Sequence, residues 1–595
     1  MTISSKIETP VAGAKIQSGA PKSSLLPILA PVLLMSVAAF FVFFADLGKY
    51  PLFNPDEAYY AEPAREMLDT GEYITTLLNY VVRFTKPPLV IWAMAGSYQL
   101  FGPNEFAARF FGAACGAVLT IITFLFARKY VNQRAGVIAG SILLTSPLFI
   151  GVGRESIADM PLSLFVAGSL MSFYHSYAQK LARWRWIGYA LIGLAIMTKG
   201  PVGLVLPVAI LLAFHAVRRD LRQAIAYYKP LPGLLLTALI GLPWFVIEIY
   251  KTHGGYYNEF IVRENFKRFT SVVDHKGPWW YHIAAILGGL FPWSLFLPAA
   301  CVTTATASGA TAAVVGNDPI VSGENSADTV KPSGSARRWF NRLTHQVAGY
   351  KNLAPRESAV LFCGITAAVI VAFFSASVSK LFSYTVPAFP ALAIVIANYL
   401  DRLIDRKNVR PVAIVSAVCA VVFGAGLAIA PHALKHLRDC PAALLHLVPT
   451  ALTVLGAAML IAMLAAITRH LKVAVATIAV TMLIGLLVVG SQALDIFSND
   501  WEMPVKAYAQ FAAGSNWPII VFNQRKFSVM FYAHRKTLLL DTKEQLEQAL
   551  QENPHAYIIT HTRDEEVVSS LGCKIVAKHG KSLLASWSAD RNNAR

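Results

Sequence analysis

Charge is the scarcest ingredient of this 595-residue chain. Only 14% of its residues are Asp, Glu, Lys or Arg, against about 25% in a soluble protein. A chain so short of charge and 55% hydrophobic cannot be solvated over most of its length, which excludes a string of soluble domains and leaves a membrane protein. Cysteine is sparse as well. Cys115, Cys301, Cys363, Cys419, Cys440 and Cys573 include no CxxC pair, so neither a disulfide scaffold nor a structural zinc site is expected. Acidic residues are outnumbered by basic ones, 34 to 52, for a net charge of +18. The basic residues fall in short clusters between apolar runs, with no groove of interleaved aromatics, which fits membrane orientation and excludes nucleic acid as the partner.

Crossing the hydrocarbon takes roughly 17 to 25 mostly apolar residues as helix, because every backbone polar group must be satisfied within the segment. Thirteen segments meet this criterion: 24–46, 105–127, 135–151, 160–178, 185–198, 202–217, 231–250, 279–302, 357–376, 381–400, 411–429, 443–467 and 473–492. The expected fold class is a polytopic α-helical membrane protein. Its first span follows a polar tail, residues 1–23, with no small-residue cleavage site, and so reads as an uncleaved anchor behind a cytoplasmic tail. The apolar run 88–101 is too short to span and is suited to lying at the interface.

Leaving that run out puts the basic clusters on one side. These are Arg128, Lys129 and Arg134; Lys180, Arg183 and Arg185; Arg218, Arg219 and Arg222; Arg337, Arg338, Arg342 and Lys351; Arg402, Arg406, Lys407 and Arg410; and Arg469 and Lys472. By the positive-inside rule this side is cytoplasmic, as is the loop 303–356, whose first part is small and polar. The opposite face then carries a long loop, 47–104, and a tail, 493–595. The tail has short β-rich runs at 518–522, 537–540, 556–560 and 574–577 and helical spacing at 543–551 and 563–571, and reads as a small α/β domain outside the membrane.

Unusual residues gather in these outer loops. Loop 47–104 holds Asp56, Glu57, Glu62, Glu66, Asp69, Glu72, Arg83 and Lys86 among aromatics such as Tyr59. A helix starting near Asp56 would place that carboxylate at its N-terminus, available to a ligand or metal or serving as a plain cap. Arg154, Glu155 and Asp159 sit at a membrane boundary, and Lys199 lies in a turn marked by Gly200 and Pro201. Lys267 and Arg268 lie near His253, Tyr256, Tyr257, His275 and His282, and Lys380 and Tyr384 mark the mouth of an apolar span. Lys and Arg often snorkel at helix ends, but positive-inside bias should deplete these loops of cations. Ionisable groups at a membrane boundary are functional candidates by default, and several cations with a few carboxylates suit a phosphate-bearing ligand. An amphipathic 88–101 beside them would let its tail stay in the bilayer.

The acidic pair near the start of the long outer loop, RFTKPP at 83–88, TKGPVG at 198–203 and SKLFSYTVPAFPAL at 379–392 together resemble the GT-C glycosyltransferases, and more narrowly the aminoarabinose transferase family that modifies lipid A. The resemblance covers nearly the whole chain. It implies a GT-C fold of about 13 transmembrane helices with a periplasmic α/β tail. It also implies inverting transfer of aminoarabinose from undecaprenyl phosphate to a lipid A phosphate at the outer face of the bacterial inner membrane, giving polymyxin resistance, by a chain expected to be monomeric. By motif, Asp56 matches the essential first-loop aspartate and Asp159 a second acidic position. Lys86, Arg268, Lys380 and Tyr384 match positions that hold the carrier phosphate, with Glu57, Tyr59, Arg83, Arg154 and Lys199 as further candidates. Thr85 stands where relatives often carry an acidic residue, which weakens the case for a metal ligand there.

The chemistry can be weighed without the family. A departing phosphate needs charge neutralisation more than protonation, a task for Lys86, Arg268 and Lys380 with Tyr384 as a hydrogen-bond donor. A phosphate acceptor is already ionised, so Asp56 would position the acceptor or the sugar amine, or hold a metal, and become a true base for a hydroxyl acceptor. A divalent metal ion would draw on His253, Glu259, Glu264 and His275, whose spacing matches no recognised ligand signature. The rival readings are a protein O-mannosyltransferase or a transferase of another sugar, and a lipid-linked sugar transporter without catalysis.

Overall fold

The computed structural model describes residues 26–267, 277–304, 353–436 and 442–589. Every expected span falls on a helix or a pair of helices, but not all in the same form. Among the described residues six helices are long and apolar enough to cross a membrane: Glu105–Tyr130, Pro355–Ala376, Phe382–Asp405, Arg410–His432, Leu444–Ile467 and Leu471–Trp501. The number rises to nine if each of three bent pairs is one span. The chain is therefore a multi-pass membrane protein. Pro147, Pro230 and Pro292 stand at the breaks of the bent pairs, whose halves meet at 67°, 52° and 113°, because proline lacks the N–H that would continue the helix.

The remaining expected spans are short or polar. Ala182–Lys199 carries Arg183, Arg185 and Lys199, and Asp159–Gln179 carries Asp159, His175 and four serines. Those serines are Ser163, Ser169, Ser172 and Ser176, all buried inside the bundle. A helix shielded from lipid by its neighbours needs no apolar circumference. The opposite extreme is Leu444–Ile467, where 22% of the apolar stretch is buried, against 94% for the central Phe382–Asp405. The run at 88–101 forms a 13-residue helix, Leu89–Phe101, that buries Val90, Ile91, Met94 and Tyr98 against the bundle and exposes Leu100.

Arginines from several loops, Arg134, Arg218, Arg356 and Arg402 among them, meet at one end of the bundle. Asp401, fully buried near the end of the central helix, accepts hydrogen bonds from Arg134, Arg356 and Asn132. At the other end two short strands, β1 (Leu77–Leu78) and β2 (Val81–Val82), form a hairpin in the long first loop.

Beyond Trp501 the tail folds as expected into an α/β unit, with strands β3 (Ile519–Phe522), β4 (Leu538–Leu540), β5 (His555–His561), β6 (Lys574–His579) and β7 (Ser582–Ser588). Their order is β4-β3-β5-β7-β6. β3 is parallel to β4 and β5, while β7 is antiparallel to β5 and β6. β3 is buried along its whole length, which is why it reads as an unbroken apolar run. The helix Lys543–Glu552 begins with a capping box between Thr542 and Gln545.

Candidate active site

Tyr384 opens the central helix and Asp401 nearly closes it, so the candidate residues stand on the order of 25 Å from the arginine-rich end. The turn that carries Asp56 is fixed first. Arg109, near the start of the Glu105–Tyr130 helix, forms a buried two-pronged ion pair with Glu57 at 2.8 and 2.5 Å and also donates to the carbonyls of Leu47, Tyr50 and Pro51. Glu57 further accepts from the backbone N–H groups of Phe53 and Ser156 at 2.9 Å. Glu57 is thus a fastener and not a reacting group, because all its acceptor capacity faces the protein. The helix that follows runs Ala58–Thr70, starting near Asp56 as expected and leaving Asp56 exposed in the turn before it.

The second segment is drawn in by close backbone packing. Gly112 has so little room that a Cβ there would meet the Glu155 carbonyl at 2.8 Å. The Glu155 carboxyl is pushed up to about 8 by burial and by the charges of Glu57, Asp159 and Asp56. The Tyr60 phenol is held protonated by burial, with Asp159 and Asp56 adding to the effect. Asp56, Glu155 and Asp159 therefore share one electrostatic neighbourhood. Asp159 itself accepts from Lys199 Nζ at 2.6 Å, a half-shielded ion pair of two sequence candidates.

Next to this pair opens a cavity of about 390 Å³. Lys86, Lys199, Glu264, Thr85 and Tyr384 supply its polar wall, and Phe260, Phe374 and Val205 part of its apolar one. Lys199 Nζ lies 4.5 Å from the centre of the Tyr384 ring, and Lys86 stands 4.0 Å from Glu264. Two ammonium groups, a phenol and a long apolar wall suit a phosphate attached to a hydrocarbon tail. Arg83 and Tyr59 build the floor of the RFTKPP turn. The Arg83 guanidinium lies 3.7 Å from the Tyr59 ring and donates to the Tyr59 carbonyl, while both side chains meet the Thr85 hydroxyl at 2.9 and 3.0 Å.

Three expectations need correction. Lys380 is only 4% exposed, and its Nζ donates to the carbonyls of Ser375 and Ser377 at 2.8 and 2.9 Å. Burial pulls its ammonium below the usual lysine value, and it is Ser377 and Ser379, not Lys380, that line the cavity. Arg154 is turned away as well, donating to the carbonyls of Val42 and Ala45 and so tying down the end of the first helix. Glu57 is spent on Arg109, as above. For the metal candidates, no three His, Cys, Asp or Glu side chains among the described residues form a cluster that could hold a metal ion. Glu259 is taken up by Arg263 at 2.5 Å and Glu264 faces Lys86, while His253 joins neither. Arg268 and His275 lie outside the described residues. What the sequence reading missed is Arg109, although a lone arginine inside an apolar span is a signal that could have found it. It also missed the aromatic wall of Phe260 and Phe374, which no motif marks.

Residues 85–245 match the family described as dolichyl-phosphate-mannose-protein mannosyltransferase. An undecaprenyl phosphate-alpha-4-amino-4-deoxy-L-arabinose arabinosyl transferase of Aeromonas salmonicida is 32% identical over 269 residues, 44% of this chain and 49% of the relative. The transferase of the same name from Pectobacterium atrosepticum is 28% identical over 389 residues, 64% of this chain and 61% of the relative. The chain thus spans about half to three-fifths of the length of the curated relatives it matches. The crystal structure of ArnT from Cupriavidus metallidurans bound to undecaprenyl phosphate superposes with a TM-score of 0.74 at 23% identity, covering 93% of this chain and 97% of that one. The helical bundle with its small C-terminal sheet unit is thereby the GT-C fold of the ArnT structures, as the sequence resemblance implied.

Proposed function

We propose that this protein is an inverting glycosyltransferase of the inner membrane that moves 4-amino-4-deoxy-L-arabinose from undecaprenyl phosphate to a phosphate of lipid A on the periplasmic face. The observation that carries the reading is the cavity in which Lys86, Lys199 and Tyr384 face an apolar wall, with Asp159 paired to Lys199 and Asp56 in the same electrostatic neighbourhood as Asp159. The sugar-bearing phosphate enters the polar side and its isoprenoid tail follows the apolar side. As the bond from the anomeric carbon to the carrier phosphate breaks, the electron pair leaves with the phosphate oxygen, and Lys86 and Lys199 neutralise it while Tyr384 donates a hydrogen bond. A lipid A phosphate oxygen, already ionised, attacks from the opposite face, and the anomeric centre inverts. No proton has to be removed from that nucleophile. Asp56, exposed in its turn, is then placed to hold the sugar's ammonium group or the acceptor.

The expected partners are the lipid-linked donor, lipid A and the surrounding bilayer, and the effect on the cell is a less anionic outer surface and resistance to polymyxin. Mass spectrometry of lipid A from cells with and without the gene tests this directly. A gain of one amino-pentose that depends on the gene is expected, and unchanged lipid A in a strain that makes the donor would sink the reading.

The match of residues 85–245 to the mannosyltransferase family favours a second reading, transfer to a hydroxyl. There Asp56 would act alone as base, since Glu57 is held by Arg109. Asp56→Asn separates the two, because it should abolish transfer to a hydroxyl and slow transfer to a phosphate much less.

A further inference from the structure

The turn carrying Asp56 is gripped from two sides, and only one grip belongs to the helical bundle. Arg109 and Ser156 hold Glu57 from within. The other grip comes from residues nearly 450 positions further along the chain. Asn54, two residues before Asp56, donates from Nδ2 to Glu502 Oε2 at 2.7 Å and to Ser528 Oγ at 2.6 Å, and its Oδ1 accepts from the Ser528 backbone N–H at 2.9 Å. Both donors and the acceptor of this amide are thus used on the C-terminal unit. Glu502 is itself buried, 4% exposed, and fixed by Lys526 at 2.9 Å.

Contacts on either side extend the grip. The Leu52 N–H donates to the Tyr532 hydroxyl at 2.8 Å, which donates in turn to Glu105 at 3.0 Å. The Tyr59 ring lies 5.3 Å from that of Phe527. Residues 52 to 59 therefore run between the helical bundle and the C-terminal unit, with Asp56 exposed to solvent. A shell of satisfied hydrogen bonds around a reacting group sets its geometry, and a misplacement of about 1 Å costs as much as 100-fold in rate.

We infer that the C-terminal unit belongs to the transfer machinery: Glu502 and Ser528, acting through Asn54, are positioning residues that set where Asp56 stands. The inference rests on the role given to Asp56 above. It assigns the tail a task in placing Asp56 and none in holding the donor's phosphate, because Lys86, Lys199 and Tyr384 are not among the residues that grip this turn.

The test uses the full-length protein in lipid nanodiscs and compares wild type with Asn54→Ala, Ser528→Ala, Ser528→Thr and the Asn54→Ala/Ser528→Ala double variant. Asn54→Ala should lower kcat at least tenfold and leave KM for the undecaprenyl-phosphate sugar within twofold. Ser528→Ala should lower kcat severalfold, Ser528→Thr, which keeps the hydroxyl, should restore it, and the double variant should be no slower than Asn54→Ala. Amide exchange across residues 52–58 should quicken in Asn54→Ala while the melting temperature stays near that of wild type. A wild-type kcat in Asn54→Ala overturns the inference, and so does a loss that tracks the melting temperature and is not rescued by Ser528→Thr. A wild-type protein that transfers no sugar to lipid A refutes the proposed function instead. In that case unchanged exchange across 52–58 in Asn54→Ala still overturns the grip on this turn, and quickened exchange upholds it. If Asn54→Ala does not fold, Ser528→Ala and its threonine partner decide the matter alone.

Discussion

Asp401 and Asp159 are both buried carboxylates at an end of the helical bundle, and their surroundings differ in a way that separates fastening from chemistry. Asp401 has no exposure and is filled by Arg134, Arg356 and Asn132. Arg134 also reaches Asp405, and Arg402 meets Glu357 at 3.3 Å, so this end is a closed lattice of opposite charges. Asp159 accepts from one lysine, and that lysine also stands over Tyr384 and lines a cavity. A carboxylate with every acceptor position filled can only hold structure. One that shares its partner with a cavity can respond to what enters it.

Breaking each end should therefore give opposite phenotypes. The largest effect is expected for Asp401→Ala, which removes the shared partner of Arg134 and Arg356, leaves them only Asp405 and Asn398, and should cost about 3 kcal/mol of stability, read as a lower melting temperature and poorer yield in detergent. Lys86→Ala should keep the melting temperature and lose about 100-fold or more in transfer rate, the usual consequence of deleting one group that neutralises developing charge. Wild-type transfer by Lys86→Ala would refute the phosphate-site assignment. A milder change is expected for Asp159→Asn. It leaves the Lys199 ammonium facing a neutral amide oxygen in place of a carboxylate, a difference of about 1 kcal/mol or about fivefold in rate, and a salt-insensitive loss much larger than that would show that Asp159 touches the substrate.

The pH dependence sharpens the same contrast. Glu155 has a carboxyl raised from 4.5 to about 8 in the folded chain. The native state then binds a proton that the unfolded state releases, so stability falls as pH rises from the unfolded value through about 8 and levels off above it. Glu155→Gln cannot release that proton and should lose less stability than wild type between pH 5 and pH 9, measured by thermal unfolding. Equal slopes in the two proteins would show that the carboxyl is not held protonated. The smallest effect is expected far from both ends. Lys578 and Glu565 pair on the exposed surface of the C-terminal unit at 2.5 Å, and Lys578→Ala should shift stability by about 0.5 kcal/mol or less.

Part of the site was legible in the sequence because it rests on local anomalies. Lys199 and Asp159 stand out as ionisable residues at span ends, and they do pair. Lys86 and Tyr384 were flagged by motif, and both reach the cavity. The direction in which a side chain turns was not legible. Lys380 and Arg154 carry the same kind of signal as Lys199, yet nearby carbonyls left open at helix ends capture them. A sequence does not show which cation finds a carbonyl first and which is left facing a cavity. The role of Glu57 was hidden for a related reason, since Arg109 lies 52 positions away and only the packed bundle brings the two together.

Composition and hydropathy alone determined that this chain crosses a membrane many times, and the β-rich runs near its end announced a separate sheet, because both follow from periodicity and from the cost of unsatisfied backbone in hydrocarbon. Tertiary structure alone decided which helices are sheltered enough to carry serines and charge, and which of several similar lysines faces the cavity. It also decided that Asn54 is held by residues more than 440 positions away. Those outcomes depend on which surfaces meet, and hydrogen bonds between distant segments leave no period in the chain that makes them.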